Sequence, residues 1–328
     1  MTAINGFKII HFTEIYKEKL KAYMLKSFPA YSLEYVDYCV ANSLTDDDNL
    51  SLIVLDANDE IVGCHLFYAT KIKTNGDVLP ARWGHDTYLN KECRNDVGFK
   101  FVVMIAKISA FGMGLSDINR EIQKKLKTVF MPGLYSILQP TCCFPFSLWH
   151  KIINYNAQNL KLKPEINVGE KTFTLVKSRD DLSVIKDGFF CGNVDYDFIR
   201  DASFIKNRFI ENKVHNYYVY MLRSSCDYFV VRLTMVHGVK TLFLVDFRYN
   251  TKSKDGFKII YKAVKRIARQ NHIGLITFLT NDEEVNKEFN FFAFKKPIDF
   301  FAKGEFKVLK DKTTFITAAD ADFDFMRK

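Results

Sequence analysis

Two stretches of this 328-residue chain decide its fold: GFKFVVMIAK at residues 98–107 and GFKIIYKAVK at residues 256–265. In each stretch a glycine follows a strand-like segment and begins a run whose apolar residues recur with helical spacing. Two similar strand-to-helix junctions at such a long separation indicate an internal repeat.

The segments that precede the two junctions follow the same order. Each half has three runs rich in β-branched and aromatic residues and bounded by turn residues, which predict strands joined by hairpins. These runs are residues 51–56, 61–70 and 81–89 in the first half, and residues 216–222, 227–236 and 240–247 in the second half.

The repeat extends in both directions. A candidate first strand precedes each set, at residues 7–12 and 173–178, and a short apolar strand followed by a charged helix comes after each junction. We therefore predict an α+β (mixed α/β) fold of two tandem domains, each a mostly antiparallel mixed sheet flanked by helices. The predicted segments are a first domain at 1–145, a proline- and asparagine-rich linker at 146–170 and a second domain at 171–328.

Composition limits the class of protein. Apolar residues make up 48% and charged residues 26%, which excludes a disordered or collagenous chain. The formal charge of +9 favours anionic partners. The seven cysteines have no C-x-x-C spacing, which argues against structural zinc and favours reduced thiols in the cytoplasm. We also expect no metal and no secretory signal. We expect no transmembrane segment, because lysines interrupt the most apolar run at residues 99–115.

The residues at each junction favour an anionic ligand. Arg94 and Lys100 flank the first glycine, and several lysines flank the second. The free amides at the start of a helix bind anions, and a lysine in the first turn is unfavourable unless an anion offsets it. Both turns are therefore candidate phosphate sites. The alternative is that these lysines extend into solvent over apolar surface.

The order of elements around each junction resembles the acyl-CoA-binding half of the GNAT acyltransferase superfamily. This order is a strand, a glycine-bearing turn with a basic residue ahead of it, a helix, a short strand and an amphipathic helix. That superfamily carries R/Q-x-x-G-x-G/A in the turn. Counted from Arg94, the glycine positions hold Val97 and Phe99, and only the adjacent Gly98 remains. The tandem layout is similar to that of N-myristoyltransferases and Fem-type aminoacyltransferases, and RDASFIKNRF at residues 200–209 resembles a motif of bacterial tandem GNAT proteins.

The resemblance implies an acyltransferase that moves an acyl group, such as acetyl, from acetyl-CoA or another acyl-CoA to an amine or hydroxyl of a sugar or other small acceptor. It further implies a set of residues near the cofactor. These are Arg94, Val97, Gly98, Phe99, Lys100 and Asn119 in the first half, and Lys254, Gly256 and Lys258 in the second.

Three side chains are candidates for catalysis. His85 lies on the strand before the first turn, and its ordinary pKa suits a general base. Strand alternation places it on one face with Trp83 and Thr87, and Asp86 on the other. The resemblance implies that Tyr135 protonates the leaving thiolate, and Asp246 ends a strand where a carboxylate could face a cleft. Each also has a structural alternative: a satisfied strand histidine, a core tyrosine, and an aspartate paired with Arg248.

Two other functions stay open at this level. The degraded glycine motifs are compatible with a binding or scaffold module that has lost catalysis, and the basic turns are compatible with RNA contact. The chain has no G-x-S-x-G, P-loop, H-E-x-x-H or G-x-G-x-x-G pattern, so the enzyme classes that depend on those motifs are disfavoured.

Overall fold

A computed structural model describes residues 2–4, 6–44, 49–74, 76–142, 160–178, 180–183, 185, 194–222, 224–225, 227–249, 255–289 and 293–321. The chain divides into two compact units. Unit 1 comprises Met1–Ile72, Val78–Met131 and Asp299–Asp311, and unit 2 comprises Lys73–Asp77, Pro132–Ile298 and Lys312–Lys328.

The strands of the described residues are, in chain order, β1 (Thr2–Ile4), β2 (Phe7–His11), β3 (Leu52–Leu55), β4 (Ile61–Thr74), β5 (Val78–Leu89), β6 (Ala110–Met113), β7 (Val129–Met131), β8 (Tyr135–Pro140), β9 (Glu165–Val168), β10 (Lys171–Leu175), β11 (Tyr196–Phe198), β12 (Tyr218–Leu222), β13 (Asp227–Val236), β14 (Val239–Arg248), β15 (Leu275–Thr280), β16 (Phe294–Pro297) and β17 (Phe300–Lys303). The helices are α1 (Lys17–Ser27), α2 (Leu33–Ser43), α3 (Asp96–Lys107), α4 (Asp117–Lys125), α5 (Ala202–Ile205), α6 (Gly256–Gln270) and α7 (Glu283–Glu288).

The sheet of unit 1 follows the order β1-β2-β3-β4-β5-β6-β17-β7. The β1–β2, β2–β3 and β3–β4 pairs are antiparallel, whereas β5 and β6 run parallel, with Trp83 opposite Phe111. Helix α3 connects these two parallel strands and packs on the sheet through Val97, Phe101 and Ile105. The apolar residues of this helix recur every four positions, which is why one face of it is buried.

The sheet of unit 2 follows the order β16-β8-β15-β14-β13-β12-β10-β9. Strands β14 and β15 are parallel, and residues 241–244 pair with residues 275–278. Helix α6 makes the crossover between them, and its buried face contains Phe257, Ile260, Val264 and Ile267. The spacing of three and four residues in GFKIIYKAVK produces this face directly.

Each sheet contains a strand that is far in the sequence from the strands with which it pairs. Strand β8 pairs with β15 and β16 in unit 2, and β17 pairs with β6 and β7 in unit 1. Strand β9 also lies inside the segment predicted as a linker and pairs with β10. The compact units therefore do not follow the predicted segments 1–145, 146–170 and 171–328. Local pattern predicts a strand, whereas the identity of its neighbour depends on the whole fold.

The architecture confirms the predicted fold class: two mixed sheets flanked by helices, with a parallel crossover in each. The longest helix in the described part of the chain, α6, has 15 residues. No helix among the described residues has the length and apolar character needed to cross a bilayer.

Candidate active site

An irregularity in β5 brings two titratable side chains of unit 1 together. Asp86 has φ 48°, a left-handed conformation that is uncommon for a residue other than glycine. Strand alternation would place His85 and Asp86 on opposite faces, but the turn at Asp86 returns its carboxylate toward the His85 ring. His85 Nδ1 lies 2.9 Å from Asp86 Oδ2. Thr87 therefore does not share a face with His85 and instead contacts His65, whose Nδ1 is 2.6 Å from Thr87 Oγ1.

The carboxylate of Asp86 is held by several donors. The Tyr31 hydroxyl donates to Asp86 Oδ1 at 2.6 Å, and the Tyr35 hydroxyl lies 3.5 Å from Oδ2. Burial raises the pKa of Asp86, but the charge of His85 and hydrogen bonds from His85, Tyr31 and Cys39 outweigh it, so the pKa lies below its ordinary value. Asp86 is therefore ionised at neutral pH and is suited to accept a hydrogen bond from His85 Nδ1.

This arrangement determines which nitrogen of His85 is basic. With the Nδ1 proton directed at Asp86, the hydrogen-bond network assigns Nε2 as the unprotonated nitrogen. The side chains of His85 and Asp86 are 5% and 2% exposed, and the Tyr68 ring lies 5.3 Å from the imidazole. A buried histidine fixed by a carboxylate is an arrangement that can perform general-base catalysis. The potential ligand atoms of Cys39, His85 and Asp86 also lie within 4.8 Å of one another, as a metal group requires.

The turn that follows β5 begins α3. The Asn95 side chain accepts a hydrogen bond from the Val97 amide and caps the helix. Gly98 packs tightly, since a Cβ there would lie 2.9 Å from the Cys93 carbonyl oxygen and 3.1 Å from Leu89. Close packing of the helix on the preceding turn therefore requires this glycine.

The surface of the α3 turn carries positive charge. Arg94, Phe99 and Lys100 are exposed, whereas Val97 is buried and offers only its backbone to a ligand. Arg94 Nε donates to the Leu89 carbonyl at 2.9 Å. Within the described residues, neither Arg94 nor Lys100 forms an ion pair with a carboxylate. Two basic side chains beside the positive end of a helix favour an anionic ligand.

The corresponding turn of unit 2 is neutralised by its own side chains. Lys258 Nζ lies 3.2 Å from Glu288 and 3.7 Å from Asp255. Gly256 again meets a packing requirement, because a Cβ there would lie 2.4 Å from the Tyr249 ring. Lys254 lies outside the described residues.

Asp246 lies in a buried ion-pair network in unit 2. Its oxygens bind Arg200 at 2.9 Å and Arg248 at 3.0 Å, and the network continues to Asp197 and Asp320. Burial raises the pKa of Asp246, but the two arginines outweigh it, and the pKa lies below its ordinary value. With its oxygens held in this way, Asp246 is suited to a structural role.

A segment near the carboxyl end occupies the place where β14 and β15 separate. Thr317 Oγ1 lies 2.6 Å from Asp246 on β14, while Asn281, which follows β15, bonds the backbone of Thr314 at 2.9 Å and of Ile316 at 2.7 Å. The segment thus bonds both separating strands. This opening of unit 2 is filled by the chain itself.

Comparison with solved structures identifies the architecture. A GCN5-related N-acetyltransferase from Anabaena variabilis matches 90% of this chain and 72% of its own, with TM-score 0.53 and 11% identity. A similar enzyme from Kribbella flavida matches with TM-score 0.54, 11% identity and the same 90% of this chain, over 71% of its own. Saccharomyces cerevisiae N-myristoyltransferase with bound myristoyl-CoA matches 93% of this chain and 80% of its own, with TM-score 0.55 and 12% identity.

The fold is that of the GNAT acyltransferases. The resemblance stated from the sequence is confirmed at the level of the fold and its two-domain layout. By sequence, no family model and no curated protein matches the chain.

The predicted catalytic residues do not all belong to the same unit. His85 belongs to unit 1, whereas Asp246 and Tyr135 belong to unit 2. Tyr135 lies at the start of β8, opposite Thr280 and Pro297, and packs partly buried against the core of unit 2. The sequence predicted Tyr135 in the closing strand of the first half, whereas the pairing of β8 with β15 places it in the sheet of unit 2.

Asn119 lies in the first turn of α4 with its side chain exposed. The Asn119 backbone amide donates a hydrogen bond to Ser116 Oγ at 3.3 Å, so Ser116 rather than Asn119 is the capping residue. Tyr31 and Tyr35 are site residues that sequence reasoning missed. Their spacing of four residues on and before α2 is the signal that could have placed both hydroxyls on one face.

Proposed function

We propose that this chain transfers an acyl group from acyl-CoA to an amine or hydroxyl, with unit 1 as the catalytic unit. The observation that carries the proposal is the His85–Asp86 pair, with a separation of 2.9 Å, on the strand that leads into the basic turn of α3. The GNAT-like fold, and a structural neighbour with bound myristoyl-CoA, support acyl-CoA as the donor.

In the proposed reaction the nitrogen or oxygen of the acceptor attacks the thioester carbon. His85 Nε2 takes the acceptor's proton, the new bond to carbon forms, and the carbon–sulfur bond breaks. CoA leaves as a thiolate, which takes that proton from the imidazolium and restores the neutral base. Asp86 holds the imidazole in one tautomer and stabilises the imidazolium that forms. Tyr31 keeps the carboxylate ionised and oriented.

The residues of the α3 turn fit the phosphates of CoA. Arg94 and Lys100 supply positive charge at the surface, and the backbone at Val97, Gly98 and Phe99 supplies the amides of the first helical turn. The packing of Gly98 brings this backbone close to β5, where the thioester would lie. We propose that this turn, rather than the turn at Gly256 and Lys258, binds the donor, because Lys258 already has two acidic partners.

The finer assignments rest on chemistry and fold likeness. We propose an acetyl group as the acyl group and a small amine or sugar as the acceptor. A cytoplasmic location is supported by the buried thiols of Cys64 and Cys93, which are not in disulfides. For unit 2 we propose a supporting role without catalysis, because the chain's own segment fills the opening between β14 and β15.

Calorimetric titration with acetyl-CoA tests the proposal. We expect saturable binding by the intact chain, weakened roughly tenfold by Arg94→Ala or Lys100→Ala, because each removes a charge-assisted contact to phosphate. Lys258→Ala is the matched control and should leave the affinity unchanged. Absence of binding would overturn the proposal, and loss of affinity in Lys258→Ala alone would move the donor site to unit 2.

A further inference from the structure

The solvent face of α6 in unit 2 carries almost only positive charge. Six residues of this helix are exposed; one is Gln270, and the other five, which we name the basic face, are Lys258, Lys262, Lys265, Arg266 and Arg269. The opposite face of the helix is apolar and buried in the core of unit 2. The basic face is therefore the surface that α6 offers to a partner.

The basic face differs from other exposed helix surfaces of this protein, where cations pair with acidic neighbours. Lys124 Nζ on α4 lies 2.7 Å from Glu121, and Lys287 Nζ on α7 lies 3.0 Å from Glu284. On the basic face Lys258 has such partners, whereas no carboxylate of the described residues forms an ion pair with the other four cations. Helix α6 contains no acidic residue, and like charges three or four positions apart on a helix repel each other. An anionic partner would relieve this repulsion.

Two further lysines continue the positive charge beyond the end of α6. Asn271, the residue after the helix, donates from Nδ2 to the Lys161 carbonyl at 3.0 Å, and its own carbonyl accepts from Lys240 Nζ at 3.4 Å. Lys161 is exposed. Burial and the charge of Lys161 lower the pKa of Lys240, as expected for neighbouring cations. The positive surface therefore extends past Arg269 onto the adjoining segment.

The side chains of the basic face favour one kind of polyanion. An interfacial helix binds a lipid surface by burying its apolar side in it, but that side of α6 is already packed in unit 2. Single-stranded nucleic acid is held by stacking on aromatic rings, and no exposed residue of α6 is aromatic. A duplex keeps its bases inside and its phosphates outside, so cations alone can hold it.

The length of the basic face matches B-form DNA. The row from Lys258 to Arg269 is about 16 Å long at a rise of roughly 1.5 Å per residue. One DNA strand has a phosphate about every 3.4 Å along the helix axis, which gives about five phosphates beside the five cations. The major groove of B-DNA, about 12 Å wide, also admits an α-helix, whereas that of duplex RNA is deep and narrow.

We propose that the basic face of α6 binds the phosphate backbone of duplex DNA without reading its sequence. This binding goes beyond the proposed acyl transfer and does not depend on it, because the donor site is proposed in unit 1 and α6 belongs to unit 2.

Fluorescence anisotropy of a labelled DNA duplex of two helical turns tests this proposal on the full chain. We expect saturable binding that weakens with sodium chloride, with a slope of log K against log salt of roughly −4 from the four cations without acidic partners. Lys262→Gln together with Arg266→Gln should weaken binding at least roughly tenfold and reduce the size of the slope by about two. Lys262→Arg together with Arg266→Lys keeps both charges and should bind as the unmodified chain does.

The matched control is Lys124→Gln together with Lys287→Gln, which removes the same net charge from lysines that have acidic partners. It should leave the affinity nearly unchanged, and an equal loss would show that net charge alone attracts the DNA and would overturn the proposal. So would the absence of saturable binding, or tighter binding to an RNA duplex of the same length or to phosphatidylserine vesicles. The acetyl-CoA titration is independent of these outcomes, because none of these variants alters Arg94 or Lys100.

Discussion

In unit 1 the strand before α3 carries a histidine and an aspartate that contact each other. The turn beyond it exposes Arg94 and Lys100, which have no acidic partner among the residues that the structure describes. In unit 2 the equivalent strand, β14, ends in Asp246 and Arg248, which are joined to three further charged residues and to the chain's own segment around Thr317. The same order of elements therefore supports two different uses of polar side chains.

Both strands are irregular, each in a different way. Strand β5 turns at Asp86, and β14 has an extra residue, Val245, where its pairing with β13 shifts register. In unit 1 the positive φ at Asp86 accompanies the His85–Asp86 pair, and in unit 2 the bulge at Val245 lies next to the ion-pair network. The comparison teaches that the two strands are each irregular where their polar side chains meet, while the side chains decide whether a histidine–aspartate pair or a buried ion-pair network forms there.

The largest effect is expected from breaking the unit 2 network. Arg248→Ala should lower the free energy of unfolding by roughly 3–5 kcal/mol, because it removes the arginine paired with the buried carboxylate of Asp197 and one of the two arginines paired with Asp246. Urea unfolding measures this. Lys258→Ala breaks only a half-exposed pair and serves as the control, with little expected change in the free energy of unfolding. Equal losses of unfolding free energy in the two variants would contradict the expectation that the buried network contributes more to stability than the surface pair.

The pair in unit 1 should matter for rate rather than for stability. His85→Gln should lower acyl transfer roughly a hundredfold, since it removes the proposed base while keeping a polar side chain of similar size. The measurement is release of free CoA with an acceptor amine. Tyr135→Phe, which alters the tyrosine implied by resemblance, should have little effect if unit 1 alone supplies the base and acid. A comparable loss in Tyr135→Phe would instead support the role first assigned to it.

The pH dependence of stability separates the units further. Burial raises the pKa of Asp197 to about 6, and this exceeds the opposing effect of Arg248. Because the folded pKa lies above the ordinary value of 3.8, the contribution of Asp197 to stability is complete below pH 4 and is lost as pH rises through 6.

The unmodified chain should therefore lose about 2 kcal/mol between pH 4 and 6 relative to Asp197→Asn, whose side chain does not titrate. Using the difference between the two proteins removes the contribution of His65, whose lowered pKa acts in the opposite direction over the same range. Asp246 and Asp86 have lowered pKa values, so their contributions to stability are present above about pH 4 and are lost only as pH falls below it. If the stability difference between the unmodified chain and Asp197→Asn did not vary with pH, the raised pKa of Asp197 would be contradicted.

The smallest effect is expected at the hydroxyl that supports Asp86. Tyr31→Phe removes the 2.6 Å hydrogen bond, which should raise the pKa of Asp86 and cost about 1 kcal/mol. The pKa can be followed by NMR of the carboxyl carbon. Tyr35→Phe removes a contact of 3.5 Å and should change the pKa less. The reverse ranking would mean that Tyr35, rather than Tyr31, orients the carboxylate.

Much of the fold follows from local pattern. The apolar spacing of GFKFVVMIAK and GFKIIYKAVK predicted α3 and α6, and the runs before them predicted β3 to β5 and β12 to β14. Part of the site was also accessible: His85 and the exposed basic residues of the α3 turn were named from residue type and position. The pairing of His85 with Asp86 was not, because it requires a positive φ at Asp86 that strand alternation does not anticipate.

The sequence by itself determined the repeat, the mixed sheets and the position of each strand-to-helix turn, because periodicity and turn residues act over a few positions. Only the tertiary structure decided that β8 and β17 pair with distant strands, that the segment around Thr317 fills the opening of unit 2, and that Lys303 lies buried beside Phe67. These contacts join residues more than a hundred positions apart or depend on which faces meet. Their energies arise from burial and charge pairing in the assembled core, and no local pattern encodes them.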